Sequence, residues 1–272
     1  MGLQIEEKAD GTIDRYKARL VARGFSQNYG LDYKETFSPV AKIVIVRTLI
    51  SLASCKGWTL WQFDVKNAFL YRELDREVFM EQPEGFVSKK FPHHVCLLKK
   101  ALYDLKQAPR AWYGKIAQYI AFCGYKVLSS NSSMFVKLKS EMQVIVFLYV
   151  DDMIIIGDNN DEISSLRAEL SIRFEMKNLG EIGCFLSLEV ERSEEGYFIS
   201  QKRYATSVVE RFSMGEAKAM AIPIEPHLKL KKNEGRTLKD LKKFRQLVGS
   251  LIYLTITRLD IAHFVSVISQ FM

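Results

Sequence analysis

The chain has 272 residues, 48% hydrophobic and 26% charged, a globular balance that excludes the disordered class. Its 39 Lys and Arg exceed its 32 Asp and Glu, a net charge of +7, which suits a polyanionic partner because each neutralised phosphate releases counterions. The longest apolar run, residues 144–150, is too short to cross a bilayer. No signal peptide is visible, and Glu6 stands where a myristoylation signal wants Ser or Thr. The expectation is a soluble, intracellular chain with no membrane partner. Cys55, Cys96, Cys123 and Cys184 stand far apart with no Cys/His cluster, which speaks against zinc. Each has apolar neighbours and is expected as a reduced core residue.

Residues 8–11 (KADG) predict a polar turn, and residues 16–25 (YKARLVARGF) alternate basic and apolar positions as a half-exposed strand does. Ile43, Val46, Leu49, Ile50 and Ala53 have helical spacing, with Gly57 as the stop. Residues 58–65 predict a strand. Pro83, Gly85 and Pro92 punctuate a loop-rich stretch, and residues 110–123 predict a helix ended by Gly124. Two apolar strands flank Asp151-Asp152 in residues 144–157. Ile163, Leu166, Leu170 and Phe174 mark a helix packed on one face. Residues 185–190 and 196–200 predict a strand pair, and Tyr204, Val208, Val209 and Phe212 another helix. A basic run, residues 229–243, leads into an amphipathic helix through Leu241, Phe244, Leu247, Val248 and Leu251. Without regular βαβ alternation, the class is α+β.

The chemistry concentrates in residues 144–158, VIVFLYVDDMIIIGD. Two adjacent carboxylates between apolar strands would be costly to bury unpaired. A divalent cation resolves that conflict, since a hard ion takes carboxylate oxygens. An ordinary hairpin turn, where Asp is common, accounts for the pair equally well. Asp64 ends a hydrophobic strand in WQFDVKNAFL. Alone it is an ordinary solvated strand end. With Asp151 and Asp152 it makes a three-carboxylate set able to hold two Mg2+ ions for in-line displacement at phosphorus.

Tyr149-Val150-Asp151-Asp152 resembles the YxDD box of reverse transcriptases, and the DVKNAFL context of Asp64 resembles the copia-type form of the preceding motif. Residues 16–25, 35–40 (ETFSPV), 78–86 (VFMEQPEGF), 102–112 (LYDLKQAPRAW), 174–179 (FEMKNL) and 199–204 (ISQKRY) match in the same order. The resemblance covers residues 9–206, with a weaker continuation toward 270. It implies a right-hand polymerase fold with an antiparallel palm sheet carrying the aspartates. Fingers would be about 1–40 and 72–111, palm about 41–71 and 112–192, and 193–272 a thumb- or connection-like segment. No protease, integrase or ribonuclease H region is expected.

The implied activity is that of a copia-type LTR-retrotransposon Pol polyprotein: RNA-directed DNA polymerisation on an RNA or DNA template with primer, using dNTPs and two Mg2+ ions, or Mn2+. By resemblance Asp64, Asp151 and Asp152 bind metal, with the Val65 backbone beside one ion. Phe69 abuts the incoming sugar and excludes the 2′-OH. Lys17, Arg19 and Arg23 alternate along the fingers hairpin toward the triphosphate, and Gln107 contacts the nucleotide. Tyr149 and Arg110 meet primer or template, and Phe185 and Leu186 occupy the primer-grip position. The basic run at 229–243 falls in the thumb-like segment, where it is either an ordinary solvated face or a track for the duplex backbone.

Residues 1–7 (MGLQIEE) stand where the family has an aromatic-rich strand. Asp104 replaces the glycine of LYGLKQ, Tyr71-Arg72 replaces His-Gly, Ser187 replaces the glycine of FLGxE, and Leu259 replaces the proline of TRPD. None of these touches the aspartates. They motivate a second reading, a degenerate and catalytically silent element copy that at most binds nucleic acid. A third, an RNA-dependent RNA polymerase, is opposed by Phe69.

Overall fold

The computed structural model describes residues 2–7, 13–36, 38, 42–71, 73–139, 142–218, 220 and 240–272. Contacts divide the chain into two units, Met1–Glu181 and Ile182–Met272. The first opens with a hairpin of β1 (Gly2–Glu7) and β2 (Ile13–Arg19). Then follow α1 (Ile43–Lys56), β3 (Trp61–Val65), β4 (Glu73–Met80), β5 (Cys96–Lys100) and α2 (Ala108–Phe122). After them come β6 (Lys126–Leu128), β7 (Asn131–Lys139), β8 (Met142–Tyr149), β9 (Asp152–Gly157), α3 (Asn160–Arg173) and β10 (Met176–Glu181). Six of these strands form one antiparallel sheet in the order β10-β3-β9-β8-β7-β6. Helices with antiparallel sheets are the mixed class expected.

Strand alternation decides what each face of this sheet carries. Phe63 and Val65 of β3, Val144, Val146 and Leu148 of β8, and Met153 and Ile155 of β9 share one buried cluster with Trp112, Ile116 and Ile120 of α2 and Ile163, Leu166 and Leu170 of α3. The residues between them, Gln62, Asp64, Phe147, Tyr149, Asp152 and Ile154, point to the opposite face. That face is covered too, because Phe147, Ile154 and Ile156 are buried. The buried stripe of α1, Val46, Leu49, Ile50 and Ala53, lies outside the first cluster. Two covered faces explain why β8 and β9 are continuous apolar runs.

Local signals set the helix ends. Gly57 takes φ 67 after α1. α3 begins before Glu162 because the Asn159 side chain accepts from the Glu162 amide at 2.8 Å, with Asp161 and Glu162 in the first turn.

The strand expected over residues 16–25 stops at Arg19. Ala22 donates to the Tyr103 carbonyl at 3.0 Å, and Gly24–Ser26 is a 3-10 turn. Gly24 lies so close to Asp104 that an added Cβ would stand 1.7 Å from its carbonyl oxygen. The chain therefore bends there, and Arg23 does not share a strand face with Lys17 and Arg19. Of the cysteines only Cys123 packs against the buried cluster, and none is fully buried. Cys55 and Cys184 are exposed, and Cys96 and Cys123 half-buried, none of them in a disulfide. Burial, with Glu169 alongside, pushes the Cys123 thiol up to about 12. The turn expected at residues 8–11 lies outside the described residues. Among the described residues no helix is long and apolar enough to cross a membrane.

The second unit holds β11 (Cys184–Phe185), β12 (Leu188–Ser193), β13 (Gly196–Ser200), α4 (Lys202–Arg211), α5 (Leu241–Leu254) and α6 (Ala262–Ser269). Residues 185–190 are thus not one strand. Phe185 pairs with Leu188 across a two-residue turn. Leu186 and Ser187 have φ 50 and 56, the signs of a type I′ hairpin turn. The Tyr253 hydroxyl donates to the Leu186 carbonyl. Asp240 caps α5 by accepting from the Lys243 amide at 2.8 Å, and residues 229–239 of the basic run lie outside the described residues.

Serine gains nothing from positive φ, whereas glycine adopts it freely. Ser187→Gly is expected to stabilise the protein by about 1 kcal/mol, read as a higher midpoint in urea. A lower midpoint would mean that the serine side chain outweighs the backbone strain.

Candidate active site

β8 and β9 are joined by the shortest common hairpin connection. Tyr149 pairs with Asp152, leaving Val150 and Asp151 as the turn. Val150 has φ 53, while Asp151 is not among the positive-φ residues. Positive φ at the first central position alone is the sign of a II′ turn, where glycine is preferred. A β-branched residue there is strained, at a cost of about 1–3 kcal/mol. Two hydrogen bonds hold it. The Trp112 indole Nε1–H donates to the Val150 carbonyl at 2.6 Å, and the Val65 amide donates to the Asp151 carbonyl at 2.9 Å.

Asp64 lies opposite Asp152 in the β3–β9 pairing. Asp64, Asp152 and Tyr149 share one sheet face with Gln62, away from the Trp112 cluster. Burial pushes the Asp152 carboxyl up to about 6, and the negative charges of Asp151 and then Asp64 add to the rise. A hydrogen bond with Gln62 opposes it. As the side chains stand, no three His, Cys, Asp or Glu groups among the described residues form a ready-made metal cage. The donor chemistry nevertheless fits a hard divalent cation, which prefers carboxylate oxygens. Such a cation would offset the same dehydration and repulsion that raise Asp152.

Phe69 follows β3 in the 3-10 turn Ala68–Tyr71 and is buried. Its ring meets Tyr103 edge-on at 4.7 Å. Gln107 is tied into the neighbouring loop. Its Oε1 accepts from Gln27 Nε2 at 3.0 Å, and its Nε2 donates to the Asp32 carbonyl at 3.4 Å. Arg110 pairs with Glu35, and both line an open cavity of ≈ 1010 Å³ that reaches Val150. Arg23 is exposed, 3.9 Å from Glu81. Lys17 and Arg19 belong to β2, opposite Gln4 and Gly2, with their side chains outside the described residues. Phe185 is buried and Leu186 forms a turn, both in the second unit.

Strand pairing thus brings Asp64, Val65, Tyr149, Asp151 and Asp152 together, whereas Gln107 is committed to Gln27 and Asp32. Sequence reasoning missed Gln62, Gln27, Tyr103 and Trp112. Gln62 was within reach, because alternation puts position 62 on the face of Asp64. The others act through partners far away in the chain.

An antiparallel sheet with adjacent carboxylates at a hairpin is a geometry that several classes of protein share, and similarity to known families decides among them. The family model described as "Reverse transcriptase (RNA-dependent DNA polymerase)" matches residues 4–226, and the chain belongs to that family. It is 43% identical over 264 residues to the Retrovirus-related Pol polyprotein from transposon RE1 of Arabidopsis thaliana, covering 97% of this chain and 18% of the relative. It is 41% identical over 279 residues to that from transposon TNT 1-94 of Nicotiana tabacum, covering 99% and 21%. To the Transposon Ty1-DR4 Gag-Pol polyprotein of Saccharomyces cerevisiae it is 26% identical over 284 residues, covering 97% and 17%. The two plant relatives are copia-type retrotransposon polyproteins. The chain spans about a fifth of the length of these relatives.

A carboxyl whose folded value is raised favours the native state at low pH. That contribution is lost as pH rises from the unfolded value through about 6. Without divalent cations, Asp152→Asn should therefore raise the melting temperature above pH 6. The expected gain is roughly 2–4 °C, the scale of about 1 kcal/mol in a chain of this size, after solvent screening at a half-exposed site. The gain should vanish near pH 4. Calorimetry in EDTA across this range measures it, and identical melting at every pH would refute the burden on Asp152.

Proposed function

We propose that this chain is the polymerase module of a copia-type retrotransposon, an RNA-directed DNA polymerase that adds dNTPs to a primer by two-metal phosphoryl transfer. The observation that carries this reading is the cross-strand pair Asp64–Asp152 beside Asp151, with Asp152 raised by burial and then by both neighbours. Asp64, Asp151 and Asp152, with the Val65 backbone, would hold Mg2+ or Mn2+. When bound, the ions activate the primer 3′ hydroxyl and neutralise the departing pyrophosphate.

The six-stranded sheet is the palm in this reading, and the β1–β2 and β4–β5 hairpins belong to the fingers. The region after residue 192 is thumb- or connection-like. Phe69, held edge-on by Tyr103, closes the sugar side of the nucleotide pocket against a 2′-OH. Lys17, Arg19 and Arg23 would contact the triphosphate, and Gln107, once released from Gln27 and Asp32, would contact the nucleotide near its sugar. Tyr149 and Arg110 meet primer and template, and Phe185 and Leu186 grip the primer. The replaced glycines favour a working copy over a silent one. Asp104 and Ser187 keep positive φ, at 73 and 56, so the backbone path that favours glycine persists.

On poly(rA)/oligo(dT) with Mg2+ or Mn2+, the wild-type chain should incorporate dTTP. Asp151→Asn should lose roughly 100-fold or more while melting cooperatively. A folded wild type without incorporation would leave nucleic-acid binding as its most. Phe69→Ala should raise ribonucleotide use relative to deoxyribonucleotide use roughly 10-fold or more, measured as a ratio of kcat/KM. An unchanged ratio would remove Phe69 from the sugar gate.

A further inference from the structure

We propose that Trp112 is a positioning residue for this site: its buried indole N–H holds the central peptide of the Val150-Asp151 turn and so sets where the two aspartates stand. The inference rests on the reading of Asp151 and Asp152 as metal-binding acids. In a two-residue hairpin turn the central peptide carries the carbonyl of the first turn residue. Flipping that peptide interconverts the I′ and II′ forms, and the second residue then changes the sign of its φ. Here the first residue is Val150 and the second is Asp151. Whatever holds the Val150 carbonyl therefore selects the turn form and the direction of Asp151.

Trp112 holds it, with the indole nitrogen 2.6 Å from that oxygen. The bond matters most where the backbone resists, and Val150 sits at φ 53 with a β-branched side chain. The indole itself has little freedom. Trp112 is fully buried. Its ring meets Phe174 edge-on at 5.3 Å and Tyr71 at 6.0 Å, and Phe174 also packs edge-on against Tyr71 at 5.4 Å and Tyr119 at 5.6 Å. A phenyl ring could fill much of that space, but it has no donor for the turn. From the next residue, the Asp151 carbonyl accepts from the Val65 amide at 2.9 Å, so exchange at Val65 reports whether the turn is held.

The test replaces only the donor. Trp112→Phe is made beside a site-specific replacement by benzothienylalanine, in which sulfur stands for the indole N–H with shape and volume kept. The sulfur analogue keeps the test valid if Trp112→Phe fails to fold. The analogue should lower kcat roughly 10-fold or more, as expected for a misplaced reacting group, with dNTP KM and primer–template affinity nearly unchanged. The Val65 amide should exchange about 10-fold faster, while the Ile155 amide, further along the sheet, keeps its protection. A purely structural role would not split kcat from KM, nor confine the exchange change to Val65. Unchanged Val65 exchange overturns the proposal whether or not the protein is active, and so does unchanged kcat in an active protein. An inactive wild type counts against the polymerase reading, while faster Val65 exchange in the analogue would still support the hold of Trp112 on the turn.

Discussion

The site depends on a valine in a conformation that valine resists. Val150 has φ 53, and its turn keeps that shape because α2 and β3 each supply a donor, the Trp112 indole and the Val65 amide. Both donors sit on elements that contribute side chains to the same buried cluster. The stability of the sheet-and-helix core is thus what keeps the turn from relaxing, and the strain is small beside that core. Val65 follows Asp64 directly, so the strand that anchors the turn also delivers the third carboxylate.

The acids set a second constraint, opposed to the first. β8 and β9 are apolar because both sheet faces are covered, and that burial dehydrates Asp152. A sheet selected only for stability would not place Asp64 opposite Asp152 with Asp151 next in the chain, because burial and then these two charges disfavour the ionised Asp152. The arrangement makes sense where a multivalent cation supplies the missing charge. Gln62 fits the same picture. It is a buried polar residue on the acids' face, and its hydrogen bond to Asp152 eases the ionised form.

What the sequence made legible follows from how local each signal is. The helix from Ile43 shows itself in Val46, Leu49, Ile50 and Ala53 and stops at Gly57, all within one stretch of chain. The β8–β9 hairpin is legible because its two apolar runs are adjacent. The bend that follows β2 was not, since Gly24 is held there against Asp104, eighty residues away. The break at Leu186-Ser187 was hidden by apolar neighbours that look like one strand. The cysteines misled because apolar neighbours in sequence say little about which side of an element a residue occupies. Cys96 stands between Val95 and Leu97 in the sequence yet is only half-buried.

Asp104 shows how a substitution in a motif is judged by backbone rather than by identity. Asp is among the side chains that tolerate positive φ, because its short carboxylate can bond locally or across a close approach. Here the carboxylate does so, accepting from the Gly24 amide at 3.3 Å, while the Asp104 carbonyl excludes any side chain at position 24. The replaced glycine thus keeps its conformation and gains a contact to the segment that bends away from β2. Gln27, a few residues on in that segment, holds Lys106 and Gln107. The bend at Gly24 therefore fixes the loop that orients the start of α2. That helix in turn carries Trp112 to Val150, so the replacement at position 104 leaves intact the chain of contacts ending at the aspartates.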